Sequence, residues 1–237
     1  MSGISHPARS DQIAELTRGI KLPFEPLHKL HLSSIAELLV QAWSDLQGTQ
    51  KKVLISGDEA EINALMETRL NLLIGKQSIW STLVCNVTRG KETVSFDASH
   101  LEKRPDLSIY LTNRNRNFPL VVECKIIETS SGKTVQIYCD KGLVRFVKGE
   151  YAWGSREAFM LGYVRDGSSI TASLTPILLH SQKNTPDPYC TEGSPEIMNG
   201  STLDLAWTNH SRTFTYLCGP PNDKPGLISL WHLWVSI

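Results

Sequence analysis

Apolar positions along this 237-residue chain follow two rhythms, one helical and one alternating. Over residues 31–47, Leu32, Ile35, Leu38, Leu39, Ala42 and Leu46 recur near helical spacing, which predicts an amphipathic helix. The clearest helix begins after Asp58, which can cap it. Glu61 stands at its third position and completes an Asp variant of the capping box. Ile62, Leu65, Met66, Leu70 and Leu73 form its apolar stripe, and Gly75 is its expected stop. A short helix is expected over 11–18, and a polar linker over 48–52 leads into the apolar run 53–55.

Residues 79–88 read as a strand, followed by a turn at Arg89-Gly90-Lys91 and a short strand to about Phe96. Two β-rich runs within 104–127, joined by the polar stretch 113–117, predict a hairpin. A helix is expected over 131–148, with Val135, Cys139, Gly142, Leu143, Phe146 and Val147 inward, and a strand over 158–164. Residues 168–180 predict a helix interrupted near Pro176, and 182–201 a long surface loop. Two closing strands, 213–217 and 227–235, are expected around the turn Gly219-Pro220-Pro221-Asn222. This order predicts an α/β protein with a mixed central sheet.

Composition narrows the class. Lys plus Arg number 24 and Asp plus Glu number 24, so formal net charge is zero and a protein that coats nucleic acid by charge alone is disfavoured. A local basic groove remains open, because Lys103, Arg104, Arg114, Arg116, Lys141, Arg145 and Lys148 cluster in sequence. No apolar run nears the ~20 residues of a membrane span, and no signal-peptide core is seen, so a cytoplasmic protein is expected. The five cysteines are scattered and form no CxxC pair, which favours reduced thiols over disulfides or zinc.

The chemistry sits in the hairpin. Pro105-Asp106 opens its first run, and Glu123-Cys124-Lys125 lies in the second, between Leu120-Val121-Val122 and Ile126-Ile127. Alternation puts Glu123 and Lys125 on one face and Cys124 on the other. Charged residues in so apolar a strand need a functional or pairing reason. Asp106 and Glu123 would suit Mg²⁺, which prefers oxygen and keeps several waters; the Cys124 backbone carbonyl could add a third oxygen. Lys125 would then stabilise charge building on a phosphate.

Pro105-Asp106 followed by Glu123-Cys124-Lys125 resembles the PD-(D/E)xK nuclease superfamily, which includes restriction endonucleases and phage-defence nucleases. The resemblance spans roughly residues 58–165. It implies a restriction-endonuclease-like core of mixed sheet flanked by helices, with N-terminal helical and C-terminal β additions: an arm and helix over 1–50 and a nuclease domain over 51–237. It further implies a Mg²⁺- or Mn²⁺-dependent endonuclease acting on DNA. The upstream helix would give an extra acidic residue, with Glu61 the best match and Glu59 and Glu67 the alternatives. The helix after the motif would complete the site through Gln136 or Lys133. Many relatives are dimers, and the apolar C-terminal strand could support such a contact; a second protein of a defence system is another implied partner. The alternatives are a catalytically inactive binding or regulatory subunit with the same fold, and an RNA-directed nuclease.

Bland readings stand beside these. Asp106 after a proline can cap a turn, and the capping box already explains Glu61. Lys141, Arg145 and Lys148, at i, i+4 and i+7, read equally as a solvated helix face or as a stripe that tracks phosphates. His180, His210 and His232 are too far apart in sequence to read as metal ligands, and Trp207, Trp231 and Trp234 read as packing the core or a subunit contact rather than stacking on bases.

Overall fold

A computed structural model of the chain describes residues 9–97, 103–198, 203–216 and 224–237. The expected turn at 219–222 lies outside the described residues. Seven strands form one mixed sheet in the order β1-β2-β3-β4-β7-β6-β5. They are β1 (Val84–Thr88), β2 (Leu107–Leu111), β3 (Leu120–Ile127), β4 (Glu157–Val164), β5 (Thr191–Ile197), β6 (Asp204–His210) and β7 (Ile228–Ser236). The central pairs β3–β4 and β4–β7 are parallel, and the outer pairs are antiparallel. The chain is therefore α/β with a mixed sheet and helices on both faces, as the apolar pattern predicts. Among the described residues no helix is long and apolar enough to cross a membrane.

Alternation along the central strands divides the core. One face carries Val122, Cys124 and Ile126 of β3 with Phe159, Leu161 and Tyr163 of β4. Helices α2 (Lys29–Thr49) and α4 (Glu59–Lys76) cover it with Leu32, Ile35, Leu39, Ile62, Met66 and Leu70. The other face carries Val121 and Ile127 of β3 with Met160 of β4, covered by Tyr138, Cys139, Leu143 and Phe146. Those covering residues belong to α6 (Val135–Tyr138), a π-helical turn (Cys139–Leu143) and α7 (Val144–Val147), which run on without a break.

The differences from the sequence reading are local. Residues Lys51–Ser56 form a short helix, α3, rather than linker and run. Ser78–Leu83 form α5, so only the second half of the expected strand 79–88 is extended. The strand expected up to Phe96 reduces to a single bridge between Thr93 and Lys103. Strand β5 lies within the stretch that reads as loop, and β6 has no counterpart among the expected elements. In place of the strand expected over 213–217, Thr213–Tyr216 is irregular. Helix α1 (Arg9–Leu16) and α8 (Thr175–Ser181), the latter preceded by a π-helical turn over Ile170–Leu174, fall where expected.

Strand β7 corrects one expectation. It pairs with β4 on one side and β6 on the other, and its side chains are buried from Leu230 to Val235. A strand with both edges satisfied has no free edge for a second subunit; among the described residues the open edges belong to β1 and β5.

Candidate functional site

Strand β3 outruns its neighbour. Its pairing with β2 ends at Leu107–Val122, while β3 continues to Ile127. Past that point the amides on the β2 side have no strand partner, and buried backbone N–H groups demand one. Two carboxylates meet the demand. Asp106, immediately before β2, accepts from Cys124 N–H at 2.7 Å through Oδ2, and Glu59 accepts from Ile126 N–H at 3.2 Å through Oε2. The site is built in this gap.

Glu59 arrives from the first turn of α4. Asp58 caps that helix by accepting from Glu61 N–H at 2.8 Å, and Glu61 Oε2 in turn accepts from Asp58 N–H at 2.8 Å. The capping box thus occupies Glu61, and Glu59 reaches β3 instead. Gly57 allows the tight α3–α4 turn, because a Cβ there would lie 2.6 Å from the Val53 carbonyl oxygen. Arg165, at the end of β4, ties the same turn down through the Leu54 and Gly57 carbonyls at 2.9 and 2.7 Å.

Lys125 is the centre. Its Nζ lies 2.9 Å from Glu59 Oε1, 2.9 Å from Glu123 Oε1 and 3.6 Å from Asp106 Oδ2, and it donates to the Cys124 carbonyl at 2.6 Å. Burial works against its charge, but Glu123, Asp106 and Glu59 together outweigh that and push its pKa up. Glu123 is the buried member, 1% exposed. Desolvation, aided by the Asp106 charge, raises its pKa to about 7 against the pull of Lys125 and Arg145. Desolvation also raises Glu59, with Lys125 opposing.

Asp106 is held from behind. Its Oδ1 accepts from Asn63 Nδ2 at 3.0 Å, and Asn63 Oδ1 accepts from the buried Tyr163 hydroxyl at 2.8 Å. A carboxylate only accepts, so the Asn63 amide nitrogen must face Asp106. On the other flank Arg145 Nη1 stands 3.2 Å from Glu123 Oε1 and donates to the Tyr151 hydroxyl at 2.8 Å. Gly142 permits this approach: a Cβ there would meet Met160 Cε at 2.6 Å and Glu123 Cγ at 3.5 Å.

The structure therefore brings Asp106, Glu123, Lys125 and the Cys124 carbonyl together. Two residues named from sequence are elsewhere. Glu61 is committed to the capping box. Gln136 is exposed, and its Nε2 contacts Asp140 at 3.1 Å and the Tyr189 hydroxyl rather than any of the converging side chains. Glu67 pairs with Arg89 at 3.3 Å, and Lys133 bridges to Glu128. The basic stripe is broken by the π-helical turn, which rotates α7 relative to α6. Arg145 is half-buried against Glu123, whereas Lys141 and Lys148 are exposed. Of the wider basic cluster, Lys103 pairs with Glu150 at 2.8 Å and Arg104 with Glu92 at 2.6 Å.

Sequence reasoning missed Asn63, Tyr163 and Tyr151, and ranked Glu59 second. A signal existed: Asn63 is a polar residue directly after Ile62 in the apolar stripe, and it stands four places after Glu59, on the same helix face.

Among the described residues no group of three or more His, Cys, Asp or Glu side chains could hold a metal ion. The point where the three carboxylates meet is held by Lys125 Nζ. A hard cation nevertheless suits what is present. Asp106, Glu123 and the Cys124 carbonyl are oxygen donors, Mg²⁺ needs only one or two protein carboxylates, and Glu123 Oε2 is buried with no hydrogen-bond partner. Comparison with protein-family models, with curated protein sequences and with solved structures gives no match for this chain.

Proposed function

We propose that this chain is a metal-dependent nuclease that hydrolyses phosphodiester bonds of DNA, with a core of the PD-(D/E)xK kind. The observation that carries the reading is the convergence of Glu59, Asp106 and Glu123 on Lys125 where β3 outruns β2. Asp106 and Glu123 would hold Mg²⁺ or Mn²⁺, with the Cys124 carbonyl as a further oxygen. Such an ion would supply Lewis acidity toward the phosphate and its attacking water.

The chain's own residues do the rest. Asn63 and the Cys124 amide fix both oxygens of Asp106, so its orientation is set before any ligand arrives. Lys125 stays charged and places an ammonium where negative charge builds on the phosphate. Arg145, braced by Tyr151, offers a second cation at the same place. Glu59 holds Lys125 and the β3 backbone in register. Lys141 and Lys148 supply exposed charge for the phosphates that flank the cut.

The test is incubation with plasmid DNA, native and heat-denatured, and with RNA, in Mg²⁺ or EDTA, for the native chain and for Glu123→Ala and Lys125→Ala. Mg²⁺-dependent DNA cleavage lost in both variants supports the reading. Undiminished cleavage in either variant overturns the site. One observation favours a second reading: the carboxylates enclose an ammonium rather than forming a three-residue metal cluster. A catalytically inactive nuclease fold that binds nucleic acid or a defence partner would leave both substrates intact. Cleavage of RNA alone would keep the chemistry and change the substrate. A role in restriction or phage defence, a cytoplasmic setting and a homodimer remain parts of the proposal, the dimer requiring a surface other than β7.

A further inference from the structure

A cavity of about 140 Å³ opens against the β2–β3 hairpin, with none of the site's carboxylates in its lining. Val121 in its wall is two residues before Glu123 on β3, so both side chains leave the same face. The pairing of Ser108 with Val121 puts Tyr110, another wall residue, on that face as well. Two residues of strand span roughly 7 Å, so the cavity and Glu123 are close neighbours along β3.

Its size and lining are selective. A cavity of ~150 Å³ is what encloses one benzene ring. Phe118 and Trp153 give this one an apolar wall and fix each other edge to face at 5.1 Å. Polar groups are spare on the same lining. Ser155, buried at 2% exposure, has no side-chain hydrogen bond among the described residues. The Asn117 carboxamide, which can both donate and accept, is exposed. Arg116 also lines the cavity, and no carboxylate pairs with it among the described residues. Lys91 adds a second cation, 5.0 Å from the Tyr110 ring centroid.

We infer that this cavity receives a single unstacked nucleobase of pyrimidine size, next to the phosphate that the Asp106–Glu123 site engages. The inference rests on the nuclease reading and deepens it, because a base inside a duplex cannot enter such a cavity without leaving its stack. The substrate class it selects is single-stranded nucleic acid. Arg116 and Lys91 attract the flanking phosphates, and Asn117 and Ser155 meet the polar edge of the base.

Binding is measured in EDTA, so that cleavage plays no part. The probes are a fluorescein-labelled twelve-residue oligothymidylate, a duplex of equal length, deoxythymidine monophosphate and inorganic phosphate. The oligothymidylate is expected to bind at least about tenfold more tightly than the duplex, and Asn117→Ala and Arg116→Ala are each expected to weaken it several-fold. Both positions are exposed, so folding is not at stake. The mononucleotide is expected to shift the indole N–H resonance of Trp153, whose Nε1 donates to the Val94 carbonyl at 2.7 Å, whereas phosphate alone leaves it in place. Equal affinity for duplex and single strand, or an unmoved Trp153 resonance, overturns the inference. A parallel Mg²⁺ cleavage assay separates the two ideas. Duplex cleavage with no nucleotide at the cavity sinks the inference and keeps the nuclease. Nucleotide binding at the cavity without cleavage of any nucleic acid supports the cavity and sinks the nuclease.

Discussion

Glu59 grips β3 at two adjacent residues: one carboxylate oxygen accepts from Ile126 N–H at 3.2 Å, and the other meets Lys125 Nζ at 2.9 Å. A single side chain from α4 thereby ties helix to strand and sets the position of the central ammonium. Glu61, two residues on, touches neither. Glu59→Gln is expected to lower Mg²⁺-dependent cleavage by roughly 10–100-fold, as loss of a supporting partner does. Glu61→Gln is expected to leave cleavage intact and to cost at most about 1 kcal/mol of stability, since only the return half of the capping box weakens. Parallel cleavage rates and urea unfolding of the two variants check this. Equal losses of activity would show that Glu59 has no special place.

Glu59 and Glu61 also mark the boundary of what the sequence could carry. The hairpin, the Glu-x-Lys face and the α4 capping box follow from local rules, and the chain obeys them. Position in a family pattern draws in Gln136 and Glu61, and local bonds to Asp140 and Asp58 claim them instead. Glu59 and Asn63 are harder to see. Their partners, Ile126 and Asp106, are 67 and 43 residues away, and the need for them arises only because β2 stops short of β3. Strand β6 is hidden for a similar reason: residues 204–210 are Asp-Leu-Ala-Trp-Thr-Asn-His, and Thr208 and His210 are buried polar groups satisfied only by tertiary contact.

Asn63 makes a separate prediction. It is 4% exposed and links the Tyr163 hydroxyl to Asp106. Asn63→Ala strands a buried phenol and removes one hold on the Asp106 carboxylate. A loss of about 2–3 kcal/mol is expected in urea unfolding. Tyr163→Phe removes only the donor and leaves Asn63 in contact with Asp106, so its cost is expected to be near 1 kcal/mol with cleavage retained. A Tyr163→Phe protein as damaged as Asn63→Ala would contradict the chain of bonds described.

Glu123 gives a pH dependence of stability whose sign is fixed by its raised pKa of about 7. Between the unfolded value near 4.5 and about 7, the folded chain holds more protons on this group than the unfolded chain does. Stability from this group is therefore full below pH 4.5 and declines as pH rises toward 7. His210 and His232 act oppositely: burial lowers them to about 4 and about 3, so their contribution is present above the unfolded pKa of 6.5 and is lost as pH falls. The Glu123 share is isolated by difference. The stability of the native chain minus that of Glu123→Gln, measured without metal, is expected to fall by up to about 3 kcal/mol between pH 4.5 and 7.5. A difference that is flat across that range would show Glu123 ionised throughout.

The two histidines belong to a buried chain whose proton order can be derived. His210 Nδ1 lies 2.8 Å from the Tyr189 carbonyl, which only accepts, so Nδ1 carries the proton and a neutral His210 accepts at Nε2. Thr208 Oγ1, 2.6 Å away, must therefore donate to it. Having spent its one proton, Thr208 accepts from His232 Nε2 at 2.7 Å, so His232 Nδ1 must accept; it takes the single Tyr138 hydroxyl proton at 2.8 Å in preference to the Met160 carbonyl at 3.1 Å. Every donor points the same way, from Tyr138 on α6 through β7 and β6 to Tyr189. Imidazole ¹⁵N shifts are expected to show His210 as the Nδ1–H tautomer and His232 as the Nε2–H tautomer at pH 7. Thr208→Val keeps the shape and removes the hydroxyl that serves both rings. Two buried nitrogens then lose their partner at once, which is expected to cost roughly 2–5 kcal/mol. The same tautomer on both rings, or a Thr208→Val protein as stable as the native chain, would break the derivation at Thr208, the single hydroxyl on which both halves depend.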